Sequence, residues 1–430
     1  MRSNERHGAD QREGARAVTA KRRLPATVLA LGVTSFFTDV GSEMIFPLLP
    51  AFVVALGAGP AFLGLVEGLA DAVSSLLKLA SGYVADHTPR KKPLVLAGYG
   101  VAAVVRPLMS LAAAPWHVLA VRVVDRVGKG VRSTPRDALL AASVPRELAG
   151  RAFGFHRAMD HAGAVVGPLV ATALLASGIE LRDVFALAFV PGLLSVVAVA
   201  MVRERSAVEP ARVGGVVAVA GGPSSSGASS GATSSAAASS DSPRLPSALR
   251  RYLVILFVFS LANSSDAFLL LRAKELGVST AALPLLWTVF HVAKLLSSYV
   301  GGHWADRLAR AKLIVAGWLV YAATYVAFAF ATQAWQAWAL MLVYGCYFGL
   351  TEPAEKALVK DLAPAALLGR AYGYYNFILG IAAVPAGLLT GWLWQSFGPS
   401  VALATGAVVA CGAGVALMMQ QRTAGSTLLR

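Results

Sequence analysis

The amino-acid sequence predicts an all-α integral membrane protein of twelve transmembrane helices in two pseudo-symmetric six-helix bundles. Its 430 residues are 56% hydrophobic and only 14% charged, with a mean hydropathy of +0.62, whereas about a quarter of a soluble domain is charged. A bilayer core of roughly 30 Å requires apolar stretches of about 20 residues from a helix. Six such stretches occur in each half: 24–56, 61–83, 93–113, 116–142, 151–177 and 182–202, then 249–273, 282–303, 312–332, 335–361, 370–395 and 399–419.

The two halves repeat one unit. Segment 82–92 (GYVADHTPRKK) recurs as 302–312 (GHWADRLARAK), which makes Asp86 and Asp306 equivalent positions. Segment 150–156 (GRAFGFH) recurs as 369–375 (GRAYGYY) at nearly the same offset. Two repeated apolar halves with short basic loops in register are typical of a secondary transporter.

The positive charge is distributed by loop, which sets the expected orientation. Every second connection is basic: 1–23, 87–92, 144–151, 203–251, 307–312 and the C-terminal tail. The intervening connections, near 57–60, 113–115, 332–334 and 396–399, contain no Lys or Arg. This positive-inside pattern predicts a multi-pass protein of a bacterial-type inner (plasma) membrane with both termini in the cytoplasm. It also argues that the net charge of +15 does not serve nucleic-acid binding.

Composition divides the chain further. Residues around 221–241 form a Ser/Gly/Ala tract that cannot bury a core and is expected to be a flexible linker. The expected segments are a basic cytoplasmic tail at 1–23, an N-terminal bundle at 24–203, a cytoplasmic linker at 204–247, a C-terminal bundle at 248–420 and a second cytoplasmic tail at 421–430.

Several of these motifs resemble those of the major facilitator superfamily. Segment 82–92 is similar to that family's loop between helices 2 and 3, with His87 and Pro89 departing from its pattern, and helix 5 is similar to the motif of its proton-coupled antiporters, with Ala171-Thr172 in place of Gly-Gly. The resemblance implies the major facilitator fold, a cytoplasmic gate and a helix-5 packing or hinge element. The gate would consist of Gly82, Asp86, Arg90, Gly302, Asp306, Arg307 and Arg310, and the hinge of Gly154, Gly163, Gly167 and Pro168.

Ionisable residues inside predicted helices are candidates for function, because charges are costly near the bilayer centre. The carboxylates proposed for proton coupling are Asp39, Glu43, Asp71, Asp160 and Asp266. The side chains expected to line a substrate cavity are Glu67, Arg106, Arg122, Asp125, Arg126, Lys129, Arg157, His291, Lys294, Tyr344, Phe348, Tyr375 and Asn376. A buried ion network that only fixes helix register would explain Asp125, Arg126, Lys129, Arg157 and Asp160 equally well. The charges concentrate in the N-terminal half and the aromatic residues in the C-terminal half, so an amphiphilic cavity is expected.

These observations predict proton-coupled antiport that exports a small organic molecule by alternating access. The alternative within transport is proton-coupled uptake of an organic anion, with Arg106, Arg122, Arg126 and Lys129 as counter-charges. A membrane receptor or a lipid-modifying enzyme would need a large extramembrane domain or a catalytic constellation, and the sequence contains neither. No phosphate loop or nucleophile elbow occurs. We therefore expect no enzymatic activity, cofactor or metal, the proton gradient as energy source, and a monomer whose partners are the lipid bilayer, protons and the substrate.

Overall fold

The protein folds into twelve long helical segments in the computed structural model, which describes residues 24–88, 90–144, 146–202, 204, 245–364 and 367–427. No strand occurs among these residues. The helices are α1 (Ala26–Ala55), α2 (Pro60–His87), α3 (Lys92–Leu111), α4 (Pro115–Ala142), α5 (Arg146–Ala176), α6 (Leu181–Ala200), α7 (Ser247–Glu275), α8 (Leu283–Arg307), α9 (Arg310–Phe330), α10 (Ala334–Leu362), α11 (Leu368–Phe397) and α12 (Pro399–Thr427). The predicted twelve-helix architecture is confirmed.

Ten of the twelve are long and apolar enough to cross a membrane by length and composition. The other two, α4 and α10, occupy equivalent places in the two halves. Helix α4 carries a stripe of cations from Arg122 to Arg136, and α10 begins with two tryptophans. Each packs against the second and third helices of its own bundle, so buried charges such as Arg122 on α4 and Glu355 on α10 face protein.

Glycine turns show the duplication in the backbone. Gly57 and Gly277 follow the ends of α1 and α7, while Gly178 and Gly398 follow the ends of α5 and α11. All four have φ between +85° and +97°, a conformation that costs little only in glycine. Each pair is separated by 220 residues, the offset of the sequence repeat.

The bundles meet closely along α2 and α11. A Cβ added to Gly64 would collide with the Gly387 carbonyl oxygen, and one on Gly68 would lie 2.7 Å from the Ala383 oxygen. A Cβ on Gly391 would lie 2.6 Å from the Cα of Ala61. These backbone contacts leave no room for side chains, so they seal the end of the interface where α2 begins.

Several helices differ from their predicted form. Helix α1 is interrupted by a 3-10 turn at Phe46–Leu48, and α7 is broken between Ala262 and Ala267. Helix α3 ends in a 3-10 segment at Arg106–Leu111. Prolines at positions 47 and 107 account for two of these breaks, since proline cannot donate a helical hydrogen bond. The break in α7 places polar backbone at the interface, which a membrane protein tolerates only where it lines a cavity or is covered by protein.

The segment boundaries can be compared only in part. Helix α12 continues to Thr427, past the expected start of the C-terminal tail at 421, and α7 begins at Ser247, at the end of the expected linker. Most of the linker and the whole N-terminal tail lie outside the described residues.

Candidate functional site

A central cavity of about 750 Å³ lies between the two bundles. We call it the wide cavity. Its lining includes Ser35, Asp39, Glu43, Lys78, Gly82, Arg126, Lys129, Arg132, Asp137, Arg157, Asp160, His161, His291, Lys294, Glu352, Gly373, Asn376 and Phe377. Side chains from both halves therefore converge on one space, as a transporter's substrate site requires.

The wide cavity is open at one end of the molecule. Gly82 near the end of α2 and Gly373 near the start of α11 both line it, and a Cβ built on Gly373 would have no atom of another described helix within 4 Å. Further along the same two helices, a Cβ on Gly380 would collide with Ser75, and Gly64 meets Gly387. The bundles are thus apart at the Gly82 end and in contact at the opposite end.

A second space of about 390 Å³, the deep cavity, continues toward the closed end. Glu43, Arg126, His291 and Lys294 line both cavities. Aromatic rings form much of its wall: Phe46, Trp287, Phe290 and Phe348. The broken segment of α7 supplies Asn263, Ser264, Ser265 and Asp266. An amphiphilic site therefore exists, with charges at its junction and rings at its closed end.

Two carboxylates project from α1 toward this junction. Asp39 lines the wide cavity, and its carboxylate has no hydrogen bond or ion pair among the described residues. The Glu43 carboxylate accepts a hydrogen bond of 2.7 Å from the Trp287 indole and lies 4.0 Å from His291 Nε2. Both contacts cross from one bundle to the other. Glu43 therefore lines the cavity and also contacts the opposite bundle.

Helix α5 packs directly against these carboxylates. A Cβ on Gly163 would lie 3.0 Å from the Asp39 Cβ, and one on Gly167 would lie 3.1 Å from the Glu43 Cβ. Two of the three glycines expected in the hinge thus allow α1 and α5 to touch beside Asp39 and Glu43. Gly154 does not belong with them, because no atom of another described helix lies within 4 Å of its added Cβ. The packing role expected for Gly154 is corrected here: at that turn α5 faces open space.

Asp160 on α5 is held within a small network. It accepts a hydrogen bond from the Ser35 hydroxyl and lies 3.6 Å from His156 Nδ1. The Arg157 guanidinium is 3.8 Å from Asp160 and donates a 3.2 Å hydrogen bond to Glu352 on α10. Arg157 therefore links the bundles across the wide cavity.

The remaining coupling candidates, Asp71 and Asp266, line the deep cavity. The Asp71 side chain is 53% exposed, with its nearest cation, Arg126 Nε, 4.0 Å away. Asp266 lies at the break in α7, where it accepts a 2.6 Å hydrogen bond from the Tyr344 hydroxyl. The loss of helical backbone at positions 263–266 is what turns Asp266 toward the cavity wall.

Three of the expected substrate contacts are instead buried in ion pairs inside the N-terminal bundle. The Arg106 Nε is 2.8 Å from Asp125, and Arg122 donates two hydrogen bonds of 2.8 and 2.9 Å to Glu67. Arg106, Arg122 and Asp125 line neither the wide nor the deep cavity, which corrects the expectation made for them. Glu67 reaches the deep cavity while bonded to Arg122. A guanidinium with a bonded carboxylate beside it satisfies its charge there instead of in the cavity.

The positions expected for Tyr344 and Tyr375 in the cavity wall are also corrected. Tyr344 and Tyr375 are almost fully buried and line neither cavity. Tyr344 supports Asp266, and the Tyr375 hydroxyl donates a 2.8 Å hydrogen bond to Glu355. Phe348 lines the deep cavity, and Asn376 lines the wide one.

The gate residues are described only in part. Asp86 and Asp306 lie in the last turns of α2 and α8 and not beyond them as expected, because both helices are longer than predicted. The side chains of Asp86, Gly302, Asp306 and Arg307 lie outside the described residues. Arg90 is exposed, whereas Arg310 forms an ion pair with Asp361. Gly82 approaches Thr134 on α4, with 3.3 Å from its added Cβ to the threonine Cγ2.

Sequence reasoning missed Glu352, Glu355, Ser35 and Trp287. Glu352 lines the wide cavity, and Glu355 is 6% exposed between Tyr375 and Trp318. Both glutamates lie within the predicted tenth helix, so the rule for charges inside the membrane would have found them. Ser35 and Trp287 are uncharged, so this rule does not select them. Their roles follow from their hydrogen bonds to Asp160 and Glu43, which only the structure shows.

Two pseudo-symmetric helical bundles around a charged cavity that is closed at one end define a membrane transport protein. The chain belongs to the Major Facilitator Superfamily, whose family model matches residues 31–271 and 252–428. This membership identifies a transporter and not an enzyme.

Relatives and solved structures agree. The chain is 28% identical to an uncharacterized MFS-type transporter of Methanocaldococcus jannaschii, over 92% of this chain and 95% of the relative. It is 26% identical to the multidrug resistance protein MdtG of Enterobacter lignolyticus, over 91% and 92%. Among solved structures, the nucleoside transporter NupG shares the fold at a TM-score of 0.71 and 13% identity, with 92% of this chain and 98% of NupG covered.

Proposed function

We propose that the protein is a proton-coupled antiporter that exports a small organic molecule from the cytoplasm by alternating access. The observation that carries this proposal is the wide cavity, which is sealed at one end by the α2–α11 contacts and lined by carboxylates from α1 and α5. The similarity to MdtG, a multidrug resistance protein, supports export of an organic substrate. The cavity is complete within one chain, so the proposed working unit is a monomer in a bacterial inner membrane that needs no cofactor.

The proposed orientation places the open end in the cytoplasm. The basic segment that ends α2, the start of α3 and the start of α7 all lie at the Gly82 end. Because basic loops stay on the cytoplasmic side, the conformation is inward-open. Outward opening then requires α2 to separate from α11 and Trp287 from Glu43, while the Gly82 end closes.

Coupling is assigned to carboxylates whose surroundings change during that motion. The affinity of a carboxylate for a proton depends on burial, nearby charges and hydrogen bonds. The Glu43 contacts with Trp287 and His291 belong to the opposite bundle, so rocking of the bundles removes them. Asp39, one turn before Glu43 on the same helix, has no hydrogen bond or ion pair to its carboxylate among the described residues. Protonation and gate state are therefore linked in this proposal.

The decisive experiment is transport by the purified protein in proteoliposomes with an imposed pH gradient. A panel of labelled organic molecules is tested, and the proposal predicts accumulation of substrate against its gradient in the compartment from which protons flow out. Accumulation that follows a membrane potential but ignores the pH gradient would overturn proton coupling.

Uptake of an organic anion is the alternative, and one observation favours it. Arg126 and Lys129 line the wide cavity, although Arg106 and Arg122 are bonded to carboxylates elsewhere. The same proteoliposomes separate the two directions, because uptake moves substrate with the protons and antiport moves it against them.

A further inference from the structure

We propose that the transported molecule is a zwitterion, whose cationic group binds in the deep cavity while its anionic group binds in the wide cavity. This inference rests on the proposed function, since it names the class of substrate for the same site. The evidence is a difference between the two cavities: among the described residues, carboxylates without a close cation line the deep cavity and lysines without a close carboxylate line the wide cavity.

Two carboxylates of the deep cavity, those of Glu43 and Asp266, lie within 4.0 Å of no Lys or Arg nitrogen among the described residues. Glu43 is bonded to an indole and Asp266 to a phenol hydroxyl, both neutral donors. Asp71 lies 4.0 Å from Arg126 and is half-exposed. The rings of Trp287 and Phe290 stand beside them in the same wall. Carboxylates together with aromatic faces form a favourable environment for an ammonium group.

The wide cavity contains lysines that lack a close carboxylate. Neither Lys78 nor Lys129 has a carboxylate within 4.0 Å among the described residues, although both line this cavity. Arg126 differs from these lysines: it lies 3.6 Å from Asp125 and 4.0 Å from Asp71, although its Nε has no hydrogen-bond acceptor among the described residues. Cations that face one space without counter-charges repel each other, so an anionic ligand group at this place would lower the free energy of the site.

The carboxylates of the wide cavity do not remove this surplus. Asp137 is bonded to Arg136 at 2.8 Å. Glu352 accepts hydrogen bonds from Arg157 and from Lys356. Asp160 accepts a hydrogen bond from Ser35 and lies near His156 and Arg157. Asp39 has no hydrogen bond or ion pair among the described residues and is one of the carboxylates proposed above to carry the proton.

The junction holds one further cation, Lys294, which lines both cavities. Its Nζ lies 3.9 Å from the centre of the Phe348 ring and within 4.0 Å of no carboxylate among the described residues. An aromatic face partly stabilises this ammonium group, so Lys294 lies at the junction of the two regions without an ion pair to Glu43 or Asp266.

Helix α2 gives the spacing between the two regions. Asp71 lines the deep cavity and Lys78 the wide one, seven residues further along the same helix. At 1.5 Å per residue the two positions are about 10 Å apart along the axis. A substrate with opposite charges at this separation satisfies both regions, whereas a cation or an anion alone leaves one set of buried charges uncompensated, which is costly.

The test is binding to the purified protein, followed by quenching of tryptophan fluorescence and by calorimetry. Three matched probes are compared: 4-(4-aminobutyl)benzoate, which carries both charges, 4-phenylbutylamine, which carries the cation, and 4-butylbenzoate, which carries the anion. We expect the zwitterion to bind at least tenfold more tightly than either of the others. Equal binding of the three, preference for one singly charged probe, or no binding of the zwitterion overturns the proposal.

Variants then assign the two ends. Lys129→Met and Lys78→Met should weaken the zwitterion and 4-butylbenzoate by about tenfold, the factor that corresponds to 1.4 kcal/mol, and leave 4-phenylbutylamine unchanged. Asp266→Asn should weaken binding of the zwitterion and of 4-phenylbutylamine by a similar factor and leave binding of 4-butylbenzoate unchanged. The controls are Lys360→Met and Asp183→Asn, which change exposed charges outside both cavities. Variants that weaken all three probes alike contradict the assignment.

Different results would contradict the proposed antiport function and the proposed substrate class. If the zwitterion binds as expected and crosses the membrane without response to a pH gradient, antiport is wrong and the substrate class stands. If only 4-phenylbutylamine is bound and is pumped by the gradient, antiport stands and the zwitterion is wrong.

Discussion

The indole Nε1 of Trp287 donates a 2.7 Å hydrogen bond to the Glu43 carboxylate, joining α8 of the C-terminal bundle to α1 of the N-terminal bundle. Three residues after Glu43, the Phe46 ring packs with its centre 5.0 Å from that of Trp287. Both contacts lie beside the deep cavity. A side chain proposed to carry the proton therefore also holds the two bundles together.

Trp287→Phe removes this donor and keeps an aromatic ring beside Phe46. A hydrogen bond to a charged group contributes about 1.5–3 kcal/mol, so the outward-open population should rise by about tenfold or more. Distances between spin labels at positions 58 and 279, measured in lipid, report this population. Trp392→Phe, at a ring that is 53% exposed, is the matched control. Identical distance distributions in Trp287→Phe and wild type would show that the bond does not bias the gate.

The amide variants Asp39→Asn, Glu43→Gln and Asp71→Asn remove a titrating group with little change in volume. We expect at least one of them to lose accumulation driven by a pH gradient while exchange of labelled substrate persists and no longer depends on pH. Asp39→Asn should perturb the structure least, since its carboxylate has no bonded partner among the described residues. If all three variants still pump, the coupling site is Asp160 or Asp266, or the protein is not coupled to protons.

Gly167→Ala should destabilise the α1–α5 contact. Its Cβ would lie 2.5 Å from the Val40 oxygen and 3.1 Å from the Glu43 Cβ, so α1 must move. Overpacking of this kind costs typically 1–3 kcal/mol. We expect a lower thermal midpoint in detergent and slower transport. Gly154→Ala on the same helix has open space around its Cβ, and it should leave both quantities unchanged; equal losses in the two variants would contradict the packing argument.

Arg122→Met leaves Glu67 buried without its partner, which costs about 3–5 kcal/mol. The single variant should therefore insert poorly or unfold at lower temperature. In the double variant Arg122→Met, Glu67→Leu the apolar pair replaces the ion pair, so thermal stability should recover, and transport with it. Recovery of folding without recovery of transport would show that this pair acts in the transport cycle as well as in packing.

Much of the architecture follows from the sequence because the bilayer limits what a chain can do. Backbone groups in lipid must be satisfied within the segment, so apolar stretches of sufficient length become helices. The repeat adds the two-bundle arrangement, and the paired turns at Gly57 and Gly277 preserve it. The close packing of helix 5 was also expected from its glycines, which is correct for Gly163 and Gly167 and wrong for Gly154.

The assignment of charges to the cavity required the tertiary structure. Arg122 and Arg126 are one turn apart on α4 and equally cationic, yet Arg122 meets Glu67 inside the bundle and Arg126 reaches both cavities. Helical spacing shows that two side chains share a face but not which neighbour that face meets, because the rotation of α4 depends on packing against α2 and α3.

The sequence by itself determined the membrane class, the duplication, the twelve helices and which charged residues lie within them. These features depend on segment length, hydropathy and the repeat, all of which are read along the chain. Only the tertiary structure decided the break that brings Asp266 to the deep cavity, the pairing of Glu43 with Trp287 and the closure of one end by Gly64 and Gly387. Each of these joins residues that are distant in the chain. Their energies depend on contact distances of a few ångströms, which packing of the two bundles sets and local pattern does not.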